Sequence, residues 1–183
     1  MDHVSIPLDR DHIVARSLIV DAVVAAAGLV APAEVARPHV TVVGYTDLGP
    51  AAARLALEPV VAATAPFVLH SHGFGFFTGD GPNSLNLHVP VVRAPALDAL
   101  HQAACVALEE AGAELAGWTT PQWWTPHITL LDRGLDPSSF ASSAAWLAGR
   151  RHPSWRIPVD RLLLTGGWPD RGDPGEELLL GSA

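Results

Sequence analysis

Short runs of β-branched apolar residues alternate along the chain with longer Ala- and Leu-rich stretches, and the two periods predict different elements. Residues 4–8 read as a strand, with Asp9 or Asp11 placed to cap a helix over 12–27 that Gly28 ends. A β-branched run over 38–44, closed by glycine, reads as the next strand. Residues 50–65 read as a helix that Pro59 is expected to break or restart. Residues 67–70 and the glycine-aromatic run to Phe77 read as strand, 79–83 as a turn cluster, and 85–92 as the returning arm of a hairpin. The order then repeats. A helix over 96–111 with Gly112 as its cap leads through a Trp-rich loop to a strand at 126–131, a helix at 138–148, and strand-like segments at 161–165 and 177–180 around a Gly/Pro/Asp loop. This alternation predicts a mixed α/β chain built on antiparallel strand pairs. No linker or low-complexity tail divides it, so residues 1–183 are expected to form one unit of two lobes.

Two of the strands carry nearly the same words. Pro38-His39-Val40-Thr41-Val42-Val43 and Pro126-His127-Ile128-Thr129-Leu130-Leu131 both read Pro-His-apolar-Thr-apolar-apolar, with their histidines 88 positions apart in a chain of 183. Each half therefore contributes one copy, as an internal duplication or an approximate two-fold would. The looser pattern of His followed two residues later by Ser or Thr also occurs at His3 and His152, so the weight rests on the pair of longer matches. On a strand, residues two apart share a face. His39 projects with Thr41, and His127 with Thr129, while their apolar neighbours face the other way. Two such strands side by side bring two imidazoles and two hydroxyls into one small volume. A phosphate suits it, because hydroxyls donate to its oxygens and a protonated imidazole adds charge. With an ordinary pKa near 6.5, one ring can accept a proton while the other donates one.

Composition narrows the partners. With 49% hydrophobic and 16% charged residues the chain can bury a core. Its 11 basic residues stand against 19 acidic ones, a net charge of −8 that is the wrong sign for gripping a long nucleic acid duplex. Every basic residue is arginine, so Schiff-base chemistry and a phosphate-binding lysine are excluded. Cys105 is the single cysteine, which removes disulfide frameworks and thiolate zinc sites. The most apolar stretch, 22–33, is too short to span a membrane, and a cytoplasmic location is expected.

The paired His-x-Thr-x segments resemble the 2H phosphoesterase superfamily, in particular its bacterial 2′-5′ RNA ligase-like and cyclic phosphodiesterase branch. The resemblance spans most of the chain: a helix before the first motif, the Gly73-Phe74-Gly75-Phe76-Phe77 stretch, a long helix with an Ala-Gly end, and a second motif entered through proline. It implies a bilobal α/β fold with helices outside and a central cleft between pseudo-symmetric sheets. It further implies metal-independent, cofactor-free chemistry on an RNA terminus or small nucleotide, with His39, Thr41, His127 and Thr129 as the site. The activity implied is opening of a 2′,3′-cyclic phosphate to a 2′-phosphate, with reversible 2′-5′ ligation in some members. A basic residue after the second motif is shared by many members, and Arg133 is its candidate here.

Around that core, Trp123 and Trp124 enter the second motif and offer faces for base stacking. Tyr45 and Phe77 are further candidates for substrate contact, and Arg37 adjoins the first motif. Two other readings stay open. One is a nucleotide-binding module that keeps the phosphate cradle without turnover. The other is a metal site of His70, His72 and His88. Gly73, Gly75 and Gly79 miss the dinucleotide-binding pattern and read instead as a bulged strand.

Overall fold

The structure is a computed structural model, and it describes residues 1–29, 38–78, 85–150, 153–166 and 175–181, without the side chains of Arg133 and Gly134. The chain runs β1 (Asp2–Pro7), α1 (Arg10–Ala27), β2 (His39–Thr46), α2 (Pro50–Ala63), β3 (Phe67–His72), β4 (Gly75–Phe77), β5 (Leu85–Pro90), α3 (Pro95–Glu110), β6 (Glu114–Leu115), a 3₁₀ turn (Gly117–Thr119), β7 (His127–Leu135), α4 (Pro137–Ala148), β8 (Ser154–Val159), β9 (Arg161–Thr165) and β10 (Glu176–Leu179). The mixed α/β architecture is the one expected from the sequence. The turn cluster at 79–83 and most of the Gly/Pro/Asp loop lie outside the described residues.

Local chemistry explains most of these boundaries. Asp9 caps α1 by accepting from the His12 amide, and Gly28 closes that helix at φ 64°, a left-handed conformation that costs glycine nothing. Asp136 and Ser139 form a reciprocal capping box at the start of α4. The expected break at Pro59 does not occur: α2 runs through it unbroken. Pro59 sits on the exposed face of the helix, as does Leu55 one turn back, whose carbonyl loses its helical donor. Water supplies that partner, so the proline is tolerated. Two strands are absent from the sequence reading. β6 has only two residues. In β8, exposed Ser154, Arg156 and Pro158 alternate with inward Trp155, Ile157 and Val159, a period that Pro158 obscures in the sequence.

The large sheet has the order β10-β9-β1-β2-β7-β5-β4, with β6 added on β2, and β3 and β8 form a separate antiparallel pair. Helices α2 and α3 pack on each other and cover β2, β9 and β10, while α1 and α4 pack on each other and cover β7. The core lies beneath them, with Val40, Val42, Ile128 and Leu130 all fully buried. No helix among the described residues is long and apolar enough to cross a membrane.

The two halves of the sheet meet where β2 and β7 pair, at Val40 opposite Ile128. The motif prolines explain why this ladder is short. Two residues out from that pair, Pro38 would face Leu130 and Pro126 would face Val42, and a proline has no N–H to continue the hydrogen bonds. The flanking pairings are two-fold related as well. On one side Pro7 faces His39 and Ser5 faces Thr41; on the other Pro90 faces His127 and His88 faces Thr129. Leu8 donates to the Pro38 carbonyl and Val91 to the Pro126 carbonyl. Each half also places a bulge one residue after its motif threonine, at Val42 against β1 and at Leu130 against β5.

Because Ile128 is buried at the meeting point of both halves, Ile128→Ala is expected to lower stability by about 2–5 kcal/mol. Urea unfolding followed by circular dichroism measures the loss.

Candidate active site

Continuing the β2–β7 register by one residue each way sets Thr129 across from His39 and His127 across from Thr41. All four side chains lie on the face opposite buried Val40 and Ile128, and all four are half-buried. The two histidines are diagonal neighbours, a relation that spaces strand positions by about 7–8 Å. One imidazole and one hydroxyl approach that gap from each side.

The bulges free backbone carbonyls near the junction, and one side chain in each half satisfies them. The Trp124 indole N–H donates to the Thr41 carbonyl at 3.0 Å. In the other half, Arg16 of α1 donates from Nε to the Thr129 carbonyl at 2.7 Å and from a terminal nitrogen to the Leu130 carbonyl at 2.9 Å. Arg16 is buried and its pKa is lowered by that burial. The guanidinium still keeps its charge. Its positive charge therefore lies behind the motif threonine of β7.

Hydrogen bonding fixes the tautomer of His127. Its Nδ1 lies 2.8 Å from the Thr125 carbonyl, which can only accept, so Nδ1 carries the hydrogen and Nε2 is left with a lone pair. Burial lowers the pKa of this ring, the Thr125 hydrogen bond opposes that, and the charge that forms on His39 lowers it further.

Each motif histidine stands against a second, buried histidine. His3 stacks on His39 with ring centres 4.9 Å apart, and its Nε2 lies 3.1 Å from the Thr165 hydroxyl. His88 lies 5.0 Å from His127. Burial pushes both His3 and His88 down to about 4, with the neighbouring motif histidine as the second cause in each case. The cleft thus pairs two half-buried imidazoles with two buried ones that stay neutral near pH 7.

A model of the 2′-5′ RNA ligase superfamily matches residues 11–166. The chain belongs to that superfamily. Its fold is also shared with two solved structures. TT0787 of Thermus thermophilus is 21% identical, with a TM-score of 0.64, over 99% of this chain and 98% of that one. A phosphoesterase is 18% identical, with a TM-score of 0.63, over 98% of this chain and 97% of that one. No curated protein matches at the level of sequence.

Within this superfamily member the outlying candidates separate clearly. Phe77 stands in the cleft, stacked on His88 at 4.2 Å and edge-on to His127 at 4.9 Å. Trp123 is 72% exposed in the turn that leads into β7. Trp124 is not available for base stacking. It is buried, stacked on His101 at 3.8 Å, and committed to the Thr41 carbonyl. Tyr45 is likewise out of reach. Its β1 partner is Asp2, whereas neighbouring Gly44 faces His3, so strand alternation turns Tyr45 to the core side, where it is fully buried. Arg37 and the Arg133 side chain lie outside the described residues.

The three-histidine metal site does not assemble. His70 and His72 lie on the exposed face of β3, whereas His88 is buried in the large sheet. Among the described residues no group of three or more His, Cys, Asp or Glu is placed to hold a metal ion. Cys105 is buried beside His101, and its thiol is pushed up to about 11, chiefly by burial. Sequence reasoning misses Arg16, His3 and His88. The signal for His88 is the match between Ser5-Ile6-Pro7-Leu8 and His88-Val89-Pro90-Val91, which is legible once the motif prolines are aligned.

Two outcomes follow from this geometry. Trp124→Phe keeps the stacked ring but removes the donor to Thr41, and is expected to cost about 1–3 kcal/mol in chemical denaturation. The second concerns pH. His3 and His88 bind a proton near 6.5 when unfolded but only near 4 in the fold. Stability is therefore full above 6.5, falls as the pH drops from 6.5 toward 4, and levels off below, by on the order of 3 kcal/mol for each ring. Melting temperatures between pH 7 and 4 read this slope, which His88→Phe should make shallower.

Proposed function

We propose that this protein opens 2′,3′-cyclic phosphates on an RNA terminus or a small nucleotide to 2′-phosphates, using His39 and His127 as its acid–base pair. The observation that carries this reading is the diagonal placement of the two imidazoles across the β2–β7 junction, each beside its own threonine hydroxyl. Membership of the 2′-5′ RNA ligase superfamily supports a phosphodiester as the reacting group.

The chemistry needs little beyond these groups. Water attacks phosphorus while one imidazole takes its proton, and the bond from phosphorus to the 3′ oxygen breaks as the other imidazole protonates that oxygen. The products are a 2′-phosphate and a free 3′ hydroxyl. Thr41 and Thr129 donate to the non-bridging oxygens, whose charge grows as the fifth bond to phosphorus forms. Arg16 adds a buried positive charge behind Thr129. With a 5′ hydroxyl in place of water, the same displacement would join that oxygen to phosphorus as the 3′ oxygen leaves protonated, forming a 2′-5′ linkage. The net charge of −8 favours a short ligand held at its end over a long duplex.

The test is incubation with an oligonucleotide ending in a 2′,3′-cyclic phosphate, in excess EDTA, followed by phosphorus NMR. Conversion to the 2′-phosphate is expected, with His39→Ala and His127→Ala each reducing the rate by about 10²–10⁴-fold. A wild-type protein that binds the oligonucleotide without converting it would replace this reading with a nucleotide-binding module.

A further inference from the structure

The two-fold relation of the cleft does not extend to the side chains of its flanking strands. Opposite Thr41 stands Ser5, and at the equivalent place opposite Thr129 stands His88. An acid–base reaction needs its two imidazoles in opposite protonation states and correctly turned, so what holds each ring in place matters. The elements around His88 hold its ring in one place. Asp132 of β7 accepts from the Asn86 amide nitrogen at 3.3 Å, which turns the Asn86 oxygen toward His88. His88 Nδ1 lies 3.2 Å from that oxygen and must donate to it. On the other side the ring lies against the backbone of β4. A Cβ at Gly75 would come within 2.5 Å of His88 Nε2, so only glycine fits there. Phe77 stacks over the ring and also meets His127 edge-on.

We propose that His88 is a positioning residue for His127: held by the Asp132–Asn86 chain and pressed between Gly75 and Phe77, it closes one flank of the His127 ring and keeps that ring in the orientation that turns Nε2 to the reaction. The inference rests on the phosphoesterase reading for its catalytic meaning, but the placement it describes stands apart from turnover. The groups facing His127 are His88 from β5, Phe77 from β4, His39 from β2 and Asp132 on its own strand. Asp132 favours the charged ring, whereas burial and the charge on His39 disfavour it. With the flank closed, Nδ1–H stays on the Thr125 carbonyl and the Nε2 lone pair is the one the reaction can use.

Nitrogen-15 NMR of the imidazoles, titrated in the wild type and in His88→Ala, His88→Phe and Asn86→Leu, tests this directly. A dispersed amide spectrum establishes that each variant is folded. In the wild type His127 is expected to titrate below 6.5, with the hydrogen on Nδ1. His88→Ala admits water to the flank and is expected to raise the His127 titration by about one pH unit and to mix its tautomers. Asn86→Leu should move it in the same direction by less, and His88→Phe should return it toward the wild-type value. The acidic limb of kcat/KM should follow each shift while KM stays nearly constant. A His127 titration and tautomer indifferent to His88→Ala in a folded protein overturn the inference. Absence of turnover with the NMR shifts intact would instead overturn the phosphoesterase reading.

Discussion

Two prolines limit how far β2 and β7 can pair, and the rest of the cleft follows from that limit. Pro38 and Pro126 stand where the ladder would otherwise continue, so β2 and β7 join at Val40 and Ile128 and then part. A longer ladder would have filled the space between His39 and His127 with backbone hydrogen bonds. Its termination leaves room for a ligand. It also leaves carbonyl groups that need donors, and the chain supplies these from side chains far away in sequence, Trp124 for Thr41 and Arg16 for Thr129 and Leu130. The motif proline, the bulge and the inserted donor thus form one solution, used once in each half.

The two donors are not chemically equivalent, and neither are the histidines that line the cleft. An indole donates on one side and a buried guanidinium on the other. Buried His3 and His88 add polar walls without adding charge near neutrality. Among the described arginines only Arg16 is buried, and it sets a positive charge behind the Thr129 side of the cleft. That arrangement suits an anionic group carried by a short ligand better than an extended polyanion lying across the surface.

Much of this is legible in the sequence, and what is not has a physical reason. The doubled Pro-His-apolar-Thr words place the four central side chains because strand geometry converts spacing directly into a shared face. The helices announce themselves through Asp9, Gly28 and Gly112. Trp124 reads as an exposed stacking residue because its sequence neighbours are loop-like. What buries it is His101, 23 positions earlier on α3, and no local pattern encodes that contact. Arg16 looks like one more polar residue of an amphipathic helix, since its partners are backbone carbonyls more than a hundred residues away. From sequence, His88 invites only the role of a metal ligand beside His70 and His72. The sheet pairing that separates it from them is a tertiary fact.

The short β2–β7 ladder also acts as a gauge. Hydrogen-bonded strands keep a spacing of about 4.8 Å whatever side chains they carry, so the separation of the two motif imidazoles is set by peptide geometry. Substitutions elsewhere in the chain can change what borders the cleft while that separation stays the same.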